Sequence, residues 1–197
     1  DVRSWDEFRE VGKELALYMA KTEEPIYGAI VVDTVDELSR FATEFVLKQL
    51  PGGPTAKAFL HASDWEYGKA WNAITEEFRL RIAKLCNLGL PVVFISHAKT
   101  NTKKNRRGLE ITVNQPNVGT GGLRDWLLKF VDYIFFAEVV QADEGESRLL
   151  RTAPSETYLA GGRQPEGKPM LPDPLPLDGV RLRKALEATA TGGNKPQ

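Results

Sequence analysis

Apolar residues recur along this chain with two different periods, and those periods lay out its elements. Phe8, Val11, Leu15, Tyr18 and Met19 recur every three or four positions behind the capping string Ser4-Trp5-Asp6-Glu7. That spacing forms one helical stripe and predicts a helix from about Trp5 to Ala20. Tyr27-Gly28-Ala29-Ile30-Val31-Val32-Asp33 then breaks the period, with an unbroken β-branched run that ends on an acid. Such a run predicts a strand covered on both faces, as in the middle of a parallel sheet. Leu38, Phe41, Ala42, Phe45, Val46 and Leu50 return to helical spacing, predicting a helix from about Val35 to Gln49 that Pro51-Gly52-Gly53-Pro54 ends. Trp71, Ile74, Phe78, Leu80, Ile82, Leu85 and Leu88 predict a long helix closed by Gly89. Pro91 to His97 is a second buried-type strand ending in polar residues.

The later half is less regular. From Lys99 to Gly122 there is no clear periodicity, so a long loop is expected, of a length that is usually functional. Leu123 to Phe130 predicts a short helix, Tyr133 to Val140 a third strand, Asp143 to Glu146 a hairpin turn and Ser147 to Thr152 a return strand. Five prolines between Pro165 and Pro176 predict an extended wrap. A short helix near Val180 to Ala190 and a disordered tail, Thr191 to Gln197, complete the expected plan. Buried strands alternating with helices make this an α/β chain, with a mostly parallel sheet and a late antiparallel hairpin.

Composition narrows the functional classes. A formal charge of −1 argues against a blanket polyanion-binding surface, so contact with nucleic acid has to be local. The single cysteine, Cys86, excludes an internal disulfide and a cysteine-rich zinc site, and its helical context predicts burial. No run approaches a membrane span and no signal peptide is visible, so the cytoplasm is the expected compartment. The sequence opens on Asp1 rather than Met, which leads us to expect a fragment or a processed piece.

Three features bear on chemistry. Asp33 and His97 each end a buried-type strand, so in a parallel sheet both fall on one rim. A basic stretch with Lys99, Lys103, Lys104, Arg106 and Arg107 follows directly. A carboxylate, an imidazole and cations on one edge suit a phosphate-handling site. Each also has a structural reading. Asp33 and Asp36 could cap the next helix, Ser96 or His97 could be a satisfied strand end, and the basic run could be a solvated loop. His61 has no metal-ligand partner nearby, and Trp65, Tyr67 and Trp71 suit packing better than base stacking. A metal-dependent hydrolase or nuclease using Asp33, Asp36 and His97 is a third possibility.

Ala29-Ile30-Val31-Val32-Asp33-Thr34-Val35, Asp64-Trp65-Glu66-Tyr67-Gly68-Lys69-Ala70-Trp71, Val92-Val93-Phe94-Ile95-Ser96-His97-Ala98-Lys99 and Val131-Asp132-Tyr133-Ile134 occur in that order. This order resembles the phage-type RecA-like AAA ATPases, nucleotide-binding proteins related to single-strand annealing recombinases, over roughly Trp5 to Arg163. The resemblance implies a RecA-like P-loop NTPase core over residues 1–163, followed by a proline-rich wrap and helix (164–190) and a tail (191–197). It implies ATP and Mg²⁺ as cofactors, homo-oligomers with nucleotide at subunit interfaces, and single-stranded DNA as partner. Asp33 matches the Walker B acid that holds Mg²⁺ through water, and His97 matches the residue sensing the γ-phosphate. Thr34 and Ser96 join them at nucleotide-facing positions, with Asp36 or Glu37 as groups that could polarise the attacking water. Thr100 to Gly121 falls where such proteins carry a DNA-contacting loop, and Arg163 where a basic residue reaches a neighbour's nucleotide. One departure is plain: G-x-x-x-x-G-K-[ST], whose amides and lysine cradle phosphates, does not occur. In the family that segment and its strand lie ahead of the first helix, so the expectation is a chain truncated before the P-loop. A degenerate module that binds single-stranded DNA or partner subunits without catalysis is the alternative.

Overall fold

The computed structural model describes residues 1–22, 26–50, 62–65, 68–104, 107–119, 121–142, 145–163 and 170–191. Two compact units emerge. Unit 1 comprises Asp1–Ala98 and Pro116–Trp126, and unit 2 comprises Lys99–Gln115 and Leu127–Gln197. His61, Glu66, Tyr67, Arg106, the first prolines of the expected wrap and all but the first residue of the expected tail lie outside the described residues.

Unit 1 begins with α1 (Trp5–Lys21), whose N-cap Ser4 accepts the Glu7 N–H at 3.2 Å while Glu7 reaches back to the Arg3 N–H at 2.7 Å. The first bond satisfies a donor that a helix start leaves open, and the second ties down the residue ahead of the cap. Strand β1 (Ile30–Asp33) leads into α2 (Val35–Gln49), a 3₁₀ turn spans Ala62–Asp64, and α3 (Ala70–Cys86) leads into β2 (Val92–Ile95). The three helices pack on one another, and the core between α1 and α3 is aromatic. Trp5 stacks on Phe78 at 5.8 Å and meets Phe8 at a tilt at 5.1 Å, and its indole N–H donates to Glu77 at 3.0 Å. In α3 the buried positions Ala70, Ile74, Phe78, Ile82 and Leu85 recur at helical spacing, as the pattern predicts.

β1 and β2 pair in parallel, with Ile30 opposite Val92 and Asp33 opposite Ile95. Their burial differs from expectation. Ile30, Val32, Val92 and Phe94 are half-buried, whereas Val31, Val93 and Ile95 are exposed. Burial on both faces needs a layer on each side, and among the described residues these strands are covered on one.

The stretch expected to be one long loop is instead largely a strand pair, β3 (Ala98–Lys104) with β4 (Glu110–Pro116). Its exposed threonines, asparagines and lysines give no apolar period, but β-branched residues suit a strand without one. Then come α4 (Gly121–Phe130), β5 (Tyr133–Ile134), β6 (Phe136–Ala142), β7 (Gly145–Arg151), β8 (Gly161–Gly162), β9 (Leu175–Pro176) and α5 (Gly179–Thr191). The expected third strand is therefore two strands with separate partners. β5 pairs antiparallel with β8, while β6 and β7 form the expected antiparallel hairpin, onto which β9 adds. Among the described residues the sheets are small and β1–β2 is the parallel pair, so a mostly parallel sheet is not what they form.

Two local devices shape unit 2. Asp178 caps α5 by accepting the Val180 and Arg181 N–H groups at 2.8 and 3.1 Å, bonds that hold its pKa below the ordinary aspartate value. Gly162 lies so close to β5 that a Cβ there would meet the Tyr133 ring at 2.5 Å.

Candidate functional site at the edge of the parallel pair

The site is built where β1 ends and α2 begins. Asp33 is the last residue of β1, on the exposed face of the strand. Thr34 is the N-cap of α2 and accepts the Glu37 N–H at 3.4 Å. Asp36 and Glu37 fill the first helical turn, where the helix dipole favours negative charge. The parallel register brings the end of β2 alongside, and so the segment Ser96-His97.

There the chain makes a contact linking residues 61 apart in sequence. Asp36 Oδ2 lies 2.8 Å from His97 Nδ1, and Asp36 Oδ1 accepts the His97 backbone N–H at 3.3 Å. The Asp36 side chain is 13% exposed and the imidazole 74% exposed, so a mostly covered carboxylate holds an open ring. Burial pushes the Asp36 pKa up, but hydrogen bonds from the His97 ring, backbone N–H groups and Thr34 outweigh it and leave the value lowered. His97 moves the other way. Its pKa is raised by the hydrogen bond and charge of Asp36, with a smaller contribution from Asp33.

The remaining neighbours are structural. The Asn117 N–H is shared between Ser96 Oγ at 3.1 Å and the His97 carbonyl at 3.0 Å, which ties the strand end down. Nothing in the sequence marked Asn117, because its contribution is a backbone N–H that any residue except proline carries. Glu37, at the surface, is bonded to Arg40 within its own helix.

Among the described residues no group of three metal-ligating side chains occurs. Asp33 alone fits one water-mediated contact to Mg²⁺, which keeps several waters and takes few protein ligands beside phosphates. The Thr34 and Ser96 hydroxyls already serve local bonds. These residues suit the metal and terminal-phosphate end of a nucleotide and do not include a phosphate cradle.

The other candidate residues belong to unit 2. All of β3 is exposed. Strand alternation puts Lys99 and Lys103 on one face and Lys104 on the other, which splits a group contiguous in sequence. Arg107 is exposed, and Arg106 lies outside the described residues. Arg163 follows β8, where its N–H donates to the Asp132 carbonyl at 2.7 Å. Its guanidinium bonds the Lys129 carbonyl and lies 3.7 Å from the Asp132 carboxylate.

A parallel strand pair joined through helices α2 and α3, with acidic and imidazole groups at its carboxyl edge, is the kind of α/β architecture that binds ligands at that edge. The family agrees with this class: a model described as AAA domain matches residues 1–164, and the chain belongs to that family. The SPbeta prophage-derived uncharacterized protein YorG of Bacillus subtilis (strain 168) is 31% identical over 102 residues. That match covers 52% of this chain and 29% of the relative, so the chain spans less than a third of that protein's length. No solved structure matches. Among the described residues no helix is long and apolar enough to cross a membrane.

Proposed function

We propose that this chain is the core of a RecA-like ATPase domain that binds ATP with Mg²⁺ and acts in phage-type DNA recombination, replication or repair. The observation that carries this reading is the edge of the β1–β2 pair, which carries Asp33 and the Asp36-held His97 in a chain of the AAA domain family. Asp33 is the Walker B acid and contacts Mg²⁺ through water. Bound Mg²⁺ supplies neutralisation of phosphate charge. His97 faces the γ-phosphate. Since no G-x-x-x-x-G-K-[ST] string occurs in these 197 residues, the phosphate cradle and its strand come from a segment outside them. Single-stranded DNA is the expected partner through Lys99, Lys103, Lys104, Arg106 and Arg107. In a homo-oligomer Arg163 reaches a neighbour's nucleotide, which requires it to leave both the Lys129 carbonyl and the long 3.7 Å pairing with Asp132.

The test is Mg²⁺-ATP binding and hydrolysis by these 197 residues and by a longer polypeptide that contains them and a P-loop, with and without single-stranded DNA. Activity in the longer polypeptide, lost with Asp33→Ala, supports the reading. Tight ATP binding by the 197 residues alone counts against the external cradle, and an active Asp33→Ala variant counts against the Walker B assignment.

The fully exposed β3, carrying Lys99, Lys103 and Lys104, favours a second reading in which the domain is a degenerate, non-catalytic module for single-stranded DNA or partner subunits. It is distinguished by DNA binding that is steep in salt and indifferent to ATP.

A further inference from the structure

A carboxylate accepts hydrogen bonds and does not donate them, so the 2.8 Å contact between Asp36 and His97 puts a proton on Nδ1. The second carboxylate oxygen takes the backbone N–H of the same residue. One side chain therefore grips His97 by its ring and by its main chain. With Nδ1 committed, Nε2 is the ring nitrogen left for a ligand, on an imidazole that is largely open.

We propose that Asp36 is a positioning residue, which holds the His97 imidazole with its proton on Nδ1 and offers Nε2 to a phosphate oxygen of the bound ligand. The phosphate rests on the nucleotide reading above, whereas the grip on the ring rests on side-chain geometry alone. Asp36 is then not the group that polarises an attacking water, since its oxygens are turned to residue 97 and its side chain is mostly covered. The charged groups acting on the ring are Asp36 from α2 and Asp33 from β1. The segment at Asn117 supplies only its backbone N–H. Both acids favour the imidazolium, in which Nε2 carries a proton and donates to an anionic oxygen.

Long-range ¹⁵N–¹H NMR of the 197-residue chain tests this, because with two histidines in the sequence a His97→Asn variant assigns the signals. Above its titration, wild-type His97 is expected as the Nδ1–H tautomer. Asp36→Ala should shift the tautomer towards Nε2–H and move the His97 titration back towards the ordinary value. Asp36→Asn, whose amide oxygen still accepts from Nδ1, should keep the tautomer and lose the upward titration shift. This conservative variant and the wild-type spectrum decide the matter even if Asp36→Ala does not fold. An Nε2–H tautomer in the wild type, or an unchanged one in folded Asp36→Ala, overturns the proposal. In a longer polypeptide that binds Mg²⁺-ATP, a shift at His97 Nε2 on adding the nucleotide supports the phosphate contact, and no shift overturns that part. If that polypeptide binds no ATP, the nucleotide reading and with it the phosphate contact fail, while the tautomer still decides the role of Asp36.

Discussion

Phe78 lies in the middle of α3, none of its surface reaches solvent, and its ring meets two other aromatics. Trp5 stacks on it at 5.8 Å and Trp126 meets it edge-on at 6.3 Å. Phe78→Ala removes the ring and leaves a cavity that two large neighbours cannot readily fill. Burial and cavity terms for such truncations come to about 3–5 kcal/mol. The two ring pairs, about 0.5–1.5 kcal/mol each, are partly counted in that range, so we expect a loss of about 4 kcal/mol. Phe78→Leu keeps most of the volume and loses the ring geometry, which predicts about 1–2 kcal/mol. Against a net domain stability of about 5–15 kcal/mol, the first variant puts unit 1 near its threshold. The assay is tryptophan fluorescence in urea. All four tryptophans, at positions 5, 65, 71 and 126, belong to unit 1, so the signal reports that unit and an unchanged slope checks the comparison. A loss below about 1 kcal/mol for Phe78→Ala, or equal losses for both variants, would refute the packing argument.

Three further outcomes are expected. Gly162→Ala forces a Cβ against the Tyr133 ring at 2.5 Å and the Asp132 carbonyl at 3.1 Å. It should destabilise the β5–β8 pairing by about 1–3 kcal/mol, read as faster amide exchange at Ile134 and Arg163, and normal exchange would remove the close-approach argument. If β3 holds single-stranded DNA, Lys99→Glu with Lys103→Glu should lower the slope of log affinity against log salt by about 1.4, at about 0.7 per contact. An unchanged slope would take these lysines out of the interface. The Asp36–His97 pair makes unit 1 sensitive to pH at both ends. The His97 pKa is raised, so its contribution is complete below the ordinary 6.5 and is lost as pH rises through the raised value. The Asp36 pKa is lowered, so its contribution is present above 3.8 and is lost as pH falls through the lowered value. The ring is exposed, so the alkaline effect is small. Melting by tryptophan fluorescence should fall slightly on that side in the wild type and stay flat in His97→Ala; equal slopes would exclude the pair.

The sequence by itself determined the helices and the carboxyl end of β1, while β2 stops at Ile95, two residues short of the expected end at His97. Ser4 marks a helix start because a short side-chain oxygen satisfies an open N–H wherever the chain turns into a helix, whereas at α2 the cap is Thr34 and not Asp33 or Asp36. The stripe through Ile74, Phe78 and Ile82 is legible because helical period is a property of the local chain. Asp33 stood out as a strand-end acid for the same reason, His97 as a polar residue just past the second strand, and the hairpin of β6 and β7 showed in its turn residues. Tertiary structure alone decided that Asp36 grips His97, because a contact across 61 residues depends on the parallel register, which no local pattern encodes. It also decided that β1 is covered on one face, that Lys99 and Lys103 part company with Lys104, and that polar β3 is a strand. In each of these, what a residue faces is set by the elements laid beside it, and a run of residue types specifies its own period but not its neighbours.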